Sequence, residues 1–168
     1  APTVTPNPVT KCIGVPAVKL KSSSSTSTTV SFASGTISIP IIDNSPGGTL
    51  PHTINVSTIP ANAVISGISV NLNITHTYIG DMSINLKAPN GNILNLDRNL
   101  TATGNAGANF VNTVISSTGS TALSAGSQPF TGTFRADMIN GAVTPGYNFG
   151  DPPGYVANAV NFSDLYSV

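Results

Sequence analysis

Two residues with acid-base chemistry stand close together in this sequence, His76 and Asp81, within Ile74-Thr75-His76-Thr77-Tyr78-Ile79-Gly80-Asp81. With Ser69 or Ser83 as nucleophile they would supply the types of a serine-hydrolase triad, in which an acid orients a histidine that takes the hydroxyl proton. No Gly-x-Ser-x-Gly elbow accompanies them to raise a serine on a sharp strand-to-helix turn. His76 also shares the parity of Leu72 and Ile74, the apolar side of an alternating run. It is therefore read as an architectural residue, partly buried and hydrogen-bonded to a neighbouring loop.

Other chemistries find less. Glycoside hydrolysis needs two facing carboxylates, and the acids are six aspartates spread over positions 43, 81, 97, 137, 151 and 164, with no glutamate. Zinc needs His or Cys at motif spacing, but His52 and His76 stand far apart and no HExxH occurs. Cys12 is the single cysteine, so no internal disulfide framework or multi-thiolate site can form. It reads as a lone buried thiol, or as one whose disulfide or packing partner lies outside this sequence. There is no glycine-rich phosphate loop leading into a helix. The sequons at Asn55, Asn73, Asn99 and Asn161 are expected by chance in so Asn-, Ser- and Thr-rich a chain and receive no role.

The elements that position these residues centre on Ile68 to Leu96. Ile68, Val70, Leu72, Ile74, His76 and Tyr78 alternate with polar residues, the period of a strand with one buried face, here a long one. A turn at Ile79-Gly80-Asp81 leads to Met82, Ile84 and Leu86 on the apolar side. Asn90-Gly91 then fits a type I′ hairpin turn, so the block reads as a β-meander. Six Lys plus Arg against six Asp is a very low charge content, with Thr, Ser and Asn as the polar residues, which argues for an all-β chain. A net charge of zero leaves no field to gather nucleic acid or anionic lipid. The apolar runs are too short to span a bilayer, and no signal peptide opens the sequence, so an exported protein would already be processed or cut from something longer.

Along the chain, Ala1 to Pro8 reads as extended linker, Ala17 to Leu20 as a short strand, and Ser22 to Thr29 as a low-complexity spacer. The expected division is 1–28, a linker or the end of a preceding immunoglobulin-like repeat, and 29–168, a β-sandwich. Strands are expected at Val30–Ala33, Thr36–Ile42, His52–Val56, Phe110–Ile115 and around Phe130–Phe134, with Pro40 marking an edge. Ser116 to Gly126 reads as surface loop. The tail from Ala136 holds Tyr147, Tyr155 and Tyr166 among glycines and prolines and reads as long loops.

Ile74 to Asp81, followed by Ile84-Asn85-Leu86-Lys87-Ala88-Pro89-Asn90-Gly91, resembles the P domain (P/Homo B domain), the module that follows subtilisin-like catalytic domains in proprotein convertases and occurs in many bacterial secreted proteins. Ile39-Pro40-Ile41-Ile42-Asp43-Asn44 and Pro129-Phe130-Thr131-Gly132-Thr133-Phe134 extend the resemblance, which covers Thr29 to Phe134 well and the tail loosely. It implies a jelly-roll-like antiparallel β-sandwich. The family closes with a Gly-x-Trp-x-Leu strand, an acidic turn and a final strand; this sequence has no tryptophan, so the sandwich is expected to lack its C-terminal strands. Those strands would follow in the same polypeptide or come from a partner chain by strand addition. Some P domains bind calcium, which implies Asp43 and Asp81 as ligands; in the other reading both are turn formers. Thr10 to Leu20 is similar to the edge of an immunoglobulin-like repeat in large surface adhesins of gliding Bacteroidota, which implies type IX secretion and a place in gliding motility.

The expected function is a non-catalytic structural or adhesive module of a larger secreted or cell-surface protein. The alternative is an accessory domain that stabilises a subtilisin-like serine protease. A carbohydrate-binding module is the third reading, weakened by the lack of tryptophan for a sugar platform.

Overall fold

Phe110–Ser116 is the strand that the rest of the main body is built against, and its sequence FVNTVIS has the β-branched and aromatic content of a buried central strand. The computed structural model describes residues 3–5, 21–23, 26–41, 51–98, 109–136 and 157–166. Seven strands run through them: β1 (Thr3–Thr5), β2 (Lys21–Ser23), β3 (Ser69–Ile74), β4 (Ser83–Lys87), β5 (Ile93–Arg98), β6 (Phe110–Ser116) and β7 (Phe130–Phe134). No α-helix occurs among the described residues; three 3-10 turns, at Ile79–Asp81, Leu123–Ala125 and Phe162–Leu165, complete the elements. The fold is all-β.

The chain divides into two compact units, Ala1–Ala33 and Ser34–Val168. In the first, β1 pairs antiparallel with β2, Thr3 opposite Ser23 and Thr5 opposite Lys21. Thr3 to Thr5 is therefore strand rather than linker, and the serine-rich spacer begins inside a strand. The β preference of Thr and Val outweighs the flanking prolines there. The strand expected at Ala17–Leu20, and Cys12, lie outside the described residues.

In the second unit β6 pairs antiparallel with β3 and parallel with β7, while β4 and β5 form a separate antiparallel pair. The expected meander is thus not formed. β3 ends at Ile74, short of His76 and Tyr78, and the chain crosses to the other sheet through the 3-10 turn, whose Ile79 is fully buried, followed by the buried Met82. Burial of those two side chains favours a crossover through the core over a solvent-exposed hairpin. Within β3 the alternation holds: Val70, Leu72 and Ile74 are half-buried against the core, and Ser69, Asn71 and Asn73 face solvent.

β6 carries one residue more than either neighbour. Leu72 and Ile74 of β3 face Thr113 and Phe110, and the same stretch of β6 spans only Phe130 to Gly132 on β7. Asn112 absorbs the extra residue with φ of +48°, a left-handed conformation that asparagine tolerates better than most residues. Its N–H is taken up by Asn73 Oδ1 at 2.9 Å. Thr113, fully buried, donates its hydroxyl to the Phe130 carbonyl at 2.6 Å beside the irregularity. The Phe110, Phe130 and Phe134 rings then pack at 5.8 and 6.2 Å between centroids, the spacing of favourable tilted and edge contacts.

The β4–β5 connection differs from the expected type I′ turn. Gly91 N–H donates to Ala88 O at 3.0 Å and Ala88 N–H to Asn92 O at 2.8 Å, which encloses the three residues Pro89, Asn90 and Gly91. Pro89 holds a negative φ, and the left-handed conformation falls on Gly91 alone (φ +90°), the pattern of a three-residue loop with a glycine bulge. β5 is buried from Ile93 through Asp97. Its second edge is met by the C-terminal segment: Leu94 bridges Ala159, Ile93 N–H donates to Asn158 Oδ1 at 2.7 Å, and Asn158 N–H donates to Ile93 O at 3.1 Å. Phe162 and Leu165 then enter the core. Part of the tail expected to be loop is thus a core component, as is Leu123 in the supposed surface loop.

The strands expected at Val30–Ala33, Thr36–Ile42 and His52–Val56 are not observed over the described residues, and Ile42 lies outside them. Their apolar side chains stay exposed, including Ile37, Ile39, Ile41, Ile54 and Val56. A period-two row with no strand pairing it among the described residues has the sequence of a strand but lacks the ladder that would make it one.

Candidate functional site

His76 is placed by the end of β3, where the chain leaves the sheet. Its backbone N–H donates to Asn109 Oδ1 at 3.0 Å, and its ring Nδ1 accepts the Tyr78 N–H at 3.1 Å. An accepting Nδ1 carries no proton, so the neutral ring keeps its proton on Nε2. A triad histidine needs the opposite, an Nδ1–H donated to a carboxylate. His76 is half-buried and its imidazole shapes its own turn. Ser69 and Ser83, the serines considered beside it, stand on strands of different sheets. In this geometry His76 Nδ1 is an acceptor and not the donor that a triad histidine supplies.

Asp81 closes the 3-10 turn Ile79–Asp81, whose end is fixed by Met82 N–H donating to Ile79 O at 3.1 Å. Its side chain, like the whole of Asp43, lies outside the described residues. Calcium takes six to eight oxygen ligands. Among the described residues no group of three or more His, Cys, Asp or Glu gathers in a way that could hold a metal ion.

Two features escaped the sequence reading. Asn95 and Asp97 are fully buried on β5, with Asn85 the register partner of Asn95. The register shift between Ile84 and Asn85 adds a residue to β5, and both Leu96 and Asp97 go under cover. Alternation along Ile93 to Asp97 marks one buried face and gives no sign that the other is covered as well.

The second feature is a concavity of about 310 Å³ where the turn after β6 meets the C-terminal 3-10 turn. Ser66, Ser117, Thr118, Asn161, Ser163 and Tyr166 contribute to its wall, with Phe162 below. The Ser117 hydroxyl oxygen accepts the Ile68 N–H at 3.1 Å, and Ser117 N–H donates to Ile68 O at 2.9 Å, so the two segments are tied directly. On the other side Asp164 receives the N–H groups of Val160 and Asn161 at 2.8 and 2.9 Å and fastens the start of the turn.

β3 through β7, with the crossover and the concavity's β6 side, make up one continuous stretch of sequence that can be compared with known families. Residues 65–135 match the family model of the proprotein convertase P-domain. The match takes in Ile74 to Gly91 and Pro129 to Phe134, on which the resemblance rests, and begins downstream of Ile39 to Asn44. P domains are non-catalytic accessory β-domains found with proteases or extracellular modules and occur in secreted proteins. No curated protein and no solved structure matches the chain. No helix among the described residues is long and apolar enough to cross a membrane.

Proposed function

We propose that this chain is a non-catalytic structural or adhesive β module of a larger secreted or cell-surface protein. The observation that carries the reading is the exposed apolar row upstream of β3: Ile37, Ile39 and Ile41 are 44, 38 and 40% exposed, and Ile54, Val56 and Ile59 follow at 46, 65 and 44%. At roughly 25 cal/mol per Å² of apolar surface removed from water, covering such a row stabilises the fold substantially. Further strands of the sandwich, supplied by the same polypeptide, are the cover we propose. Amide hydrogen exchange over residues 36–41 and 51–59 tests it, comparing this chain alone with the native secreted polypeptide. Protection gained in the native protein supports the reading, and equal exchange in both overturns it. Protection gained only on adding a second polypeptide would assign the cover to strand addition by a partner.

The P-domain match favours a second reading, an accessory domain that stabilises a subtilisin-like serine protease. Labelling of the native polypeptide by a fluorophosphonate serine-hydrolase probe would select it over the adhesive role. Calcium held by Asp43 and Asp81 belongs to either reading as a proposal. A melting temperature raised by calcium, and an Asp81→Ala variant that loses the increment, would support it. Identical melts in calcium and chelator would remove it.

A further inference from the structure

We infer that the concavity beside Tyr166 is a binding site for a neutral polyhydroxylated ring, a saccharide unit. Its walls carry four hydroxyl-bearing residues, Ser66, Ser117, Thr118 and Ser163, together with the Asn161 amide and the Tyr166 side chain. A hydroxyl both donates and accepts, so such a wall matches the alternating donors and acceptors of a sugar without fixing their direction in advance. Among the described lining residues none is charged, which gives no preference for phosphate, carboxylate or ammonium groups. The volume of about 310 Å³ is at the lower end of the roughly 300–1,000 Å³ of small-molecule sites and suits one ring rather than a polymer.

The walls are held in place before any ligand arrives. Ser117 Oγ accepts the Ile68 N–H at 3.1 Å, which ties this wall to the start of β3. Thr118 Oγ1 lies 3.1 Å from Ser116 Oγ, which itself accepts the Thr118 N–H at 3.2 Å. Gly119 presses on β7 so closely that a Cβ there would stand 2.2 Å from the Phe134 carbonyl oxygen. Tyr166 packs partly against the core while lining the concavity, so its ring is positioned at little entropic cost on binding. A tyrosine ring is the kind of apolar surface on which a sugar can stack.

Saturation-transfer NMR on the whole chain tests this with the methyl glycosides of glucose, galactose, mannose and N-acetylglucosamine, with inorganic phosphate as the charged comparison. Saturation transfer to at least one glycoside, with perturbed Tyr166 ring resonances, is expected. Tyr166→Leu, which keeps apolar packing, should weaken that binding roughly tenfold. Thr118→Val removes one wall hydroxyl, the partner of Ser116 Oγ, and should weaken it several-fold, whereas Ser124→Ala, outside the concavity, should leave it unaltered. No transfer to any glycoside at millimolar concentration would overturn the inference. So would binding indifferent to both Tyr166→Leu and Thr118→Val, or phosphate binding there in place of the glycosides.

Discussion

Replacing Thr113 by valine isolates a single buried hydrogen bond at the centre of the three-stranded sheet. Thr113 is fully buried, and its hydroxyl donates to the Phe130 carbonyl at 2.6 Å where the β6–β7 register shifts. Valine keeps the shape and removes the donor. The Phe130 carbonyl then loses a buried partner, which costs about 1–3 kcal/mol in desolvation not repaid. Thr113→Ser keeps the donor and removes a methyl, at a cost of about 0.8 kcal/mol plus whatever cavity remains. The hydroxyl therefore matters more than the methyl, and the order of stability should be wild type, Thr113→Ser, Thr113→Val. Urea unfolding followed by far-UV circular dichroism measures it, since the chain has no tryptophan to report by fluorescence. With m of about 2 kcal/mol/M, a loss of about 2 kcal/mol moves the midpoint by about 1 M at unchanged m. A Thr113→Val midpoint above that of Thr113→Ser would refute the argument that the hydroxyl matters more than the methyl at this site.

Three further outcomes follow from the same geometry. Gly119→Ala should cost about 1–3 kcal/mol, because the new Cβ meets Phe134 backbone at 2.2 Å and backbone cannot swing aside; calorimetric melting reads the loss. Asn112→Gly should leave stability near wild type while Asn112→Val lowers it by about 1–2 kcal/mol, since φ of +48° is open to glycine and costly for a β-branched residue. Equal melts for the two would remove the bulge argument. Asp164→Ala should cost about 0.5–2 kcal/mol, as a carboxylate that accepts two N–H groups at the start of the Phe162–Leu165 turn is lost. Exchange at the Val160 and Asn161 amides should rise with it.

How much of this could be read from sequence depends on which force decides each element. The half-buried faces of β3 and β7 were legible because one face meets the core and the other meets water, and Phe130 and Phe134 fall on one side as their parity requires. Pairing was not legible. Nothing in Ile68 to Leu96 says that β3 seeks β6, some forty residues downstream by numbering, rather than the adjacent β4. That choice is made by Ile79 and Met82, whose burial carries the chain between sheets. The type I′ expectation failed because Pro89 has no N–H to donate to Asn92 O across a two-residue turn; Ala88 N–H donates there instead, one residue further back. Leu123, Phe162 and Leu165 anchor irregular segments singly, and single anchors leave no period to detect. His76 lies beyond the end of β3, so strand parity does not place it, and the partner of its ring, the Tyr78 N–H, lies within its own turn.

Exposed apolar residues continue in sequence up to the concavity's wall, and this separates the two proposals made for them. Val64 and Ile65, 89 and 50% exposed, immediately precede Ser66 on the concavity's wall. A strand laid over Val64 and Ile65 would narrow the approach from that side. The opposite wall, Asn161 to Tyr166, is fastened independently through Asp164 and through Asn92 Nδ2 donating to the Asp164 carbonyl at 2.6 Å. Cover over the apolar row therefore leaves the Tyr166 side in place, and a saccharide bound there should still contact Tyr166 in the native polypeptide. Protection of residues 36–41 together with retained glycoside binding fits both proposals. Protection with binding abolished would mean that the concavity is a seat for the covering strand, and the saccharide site would have to be given up.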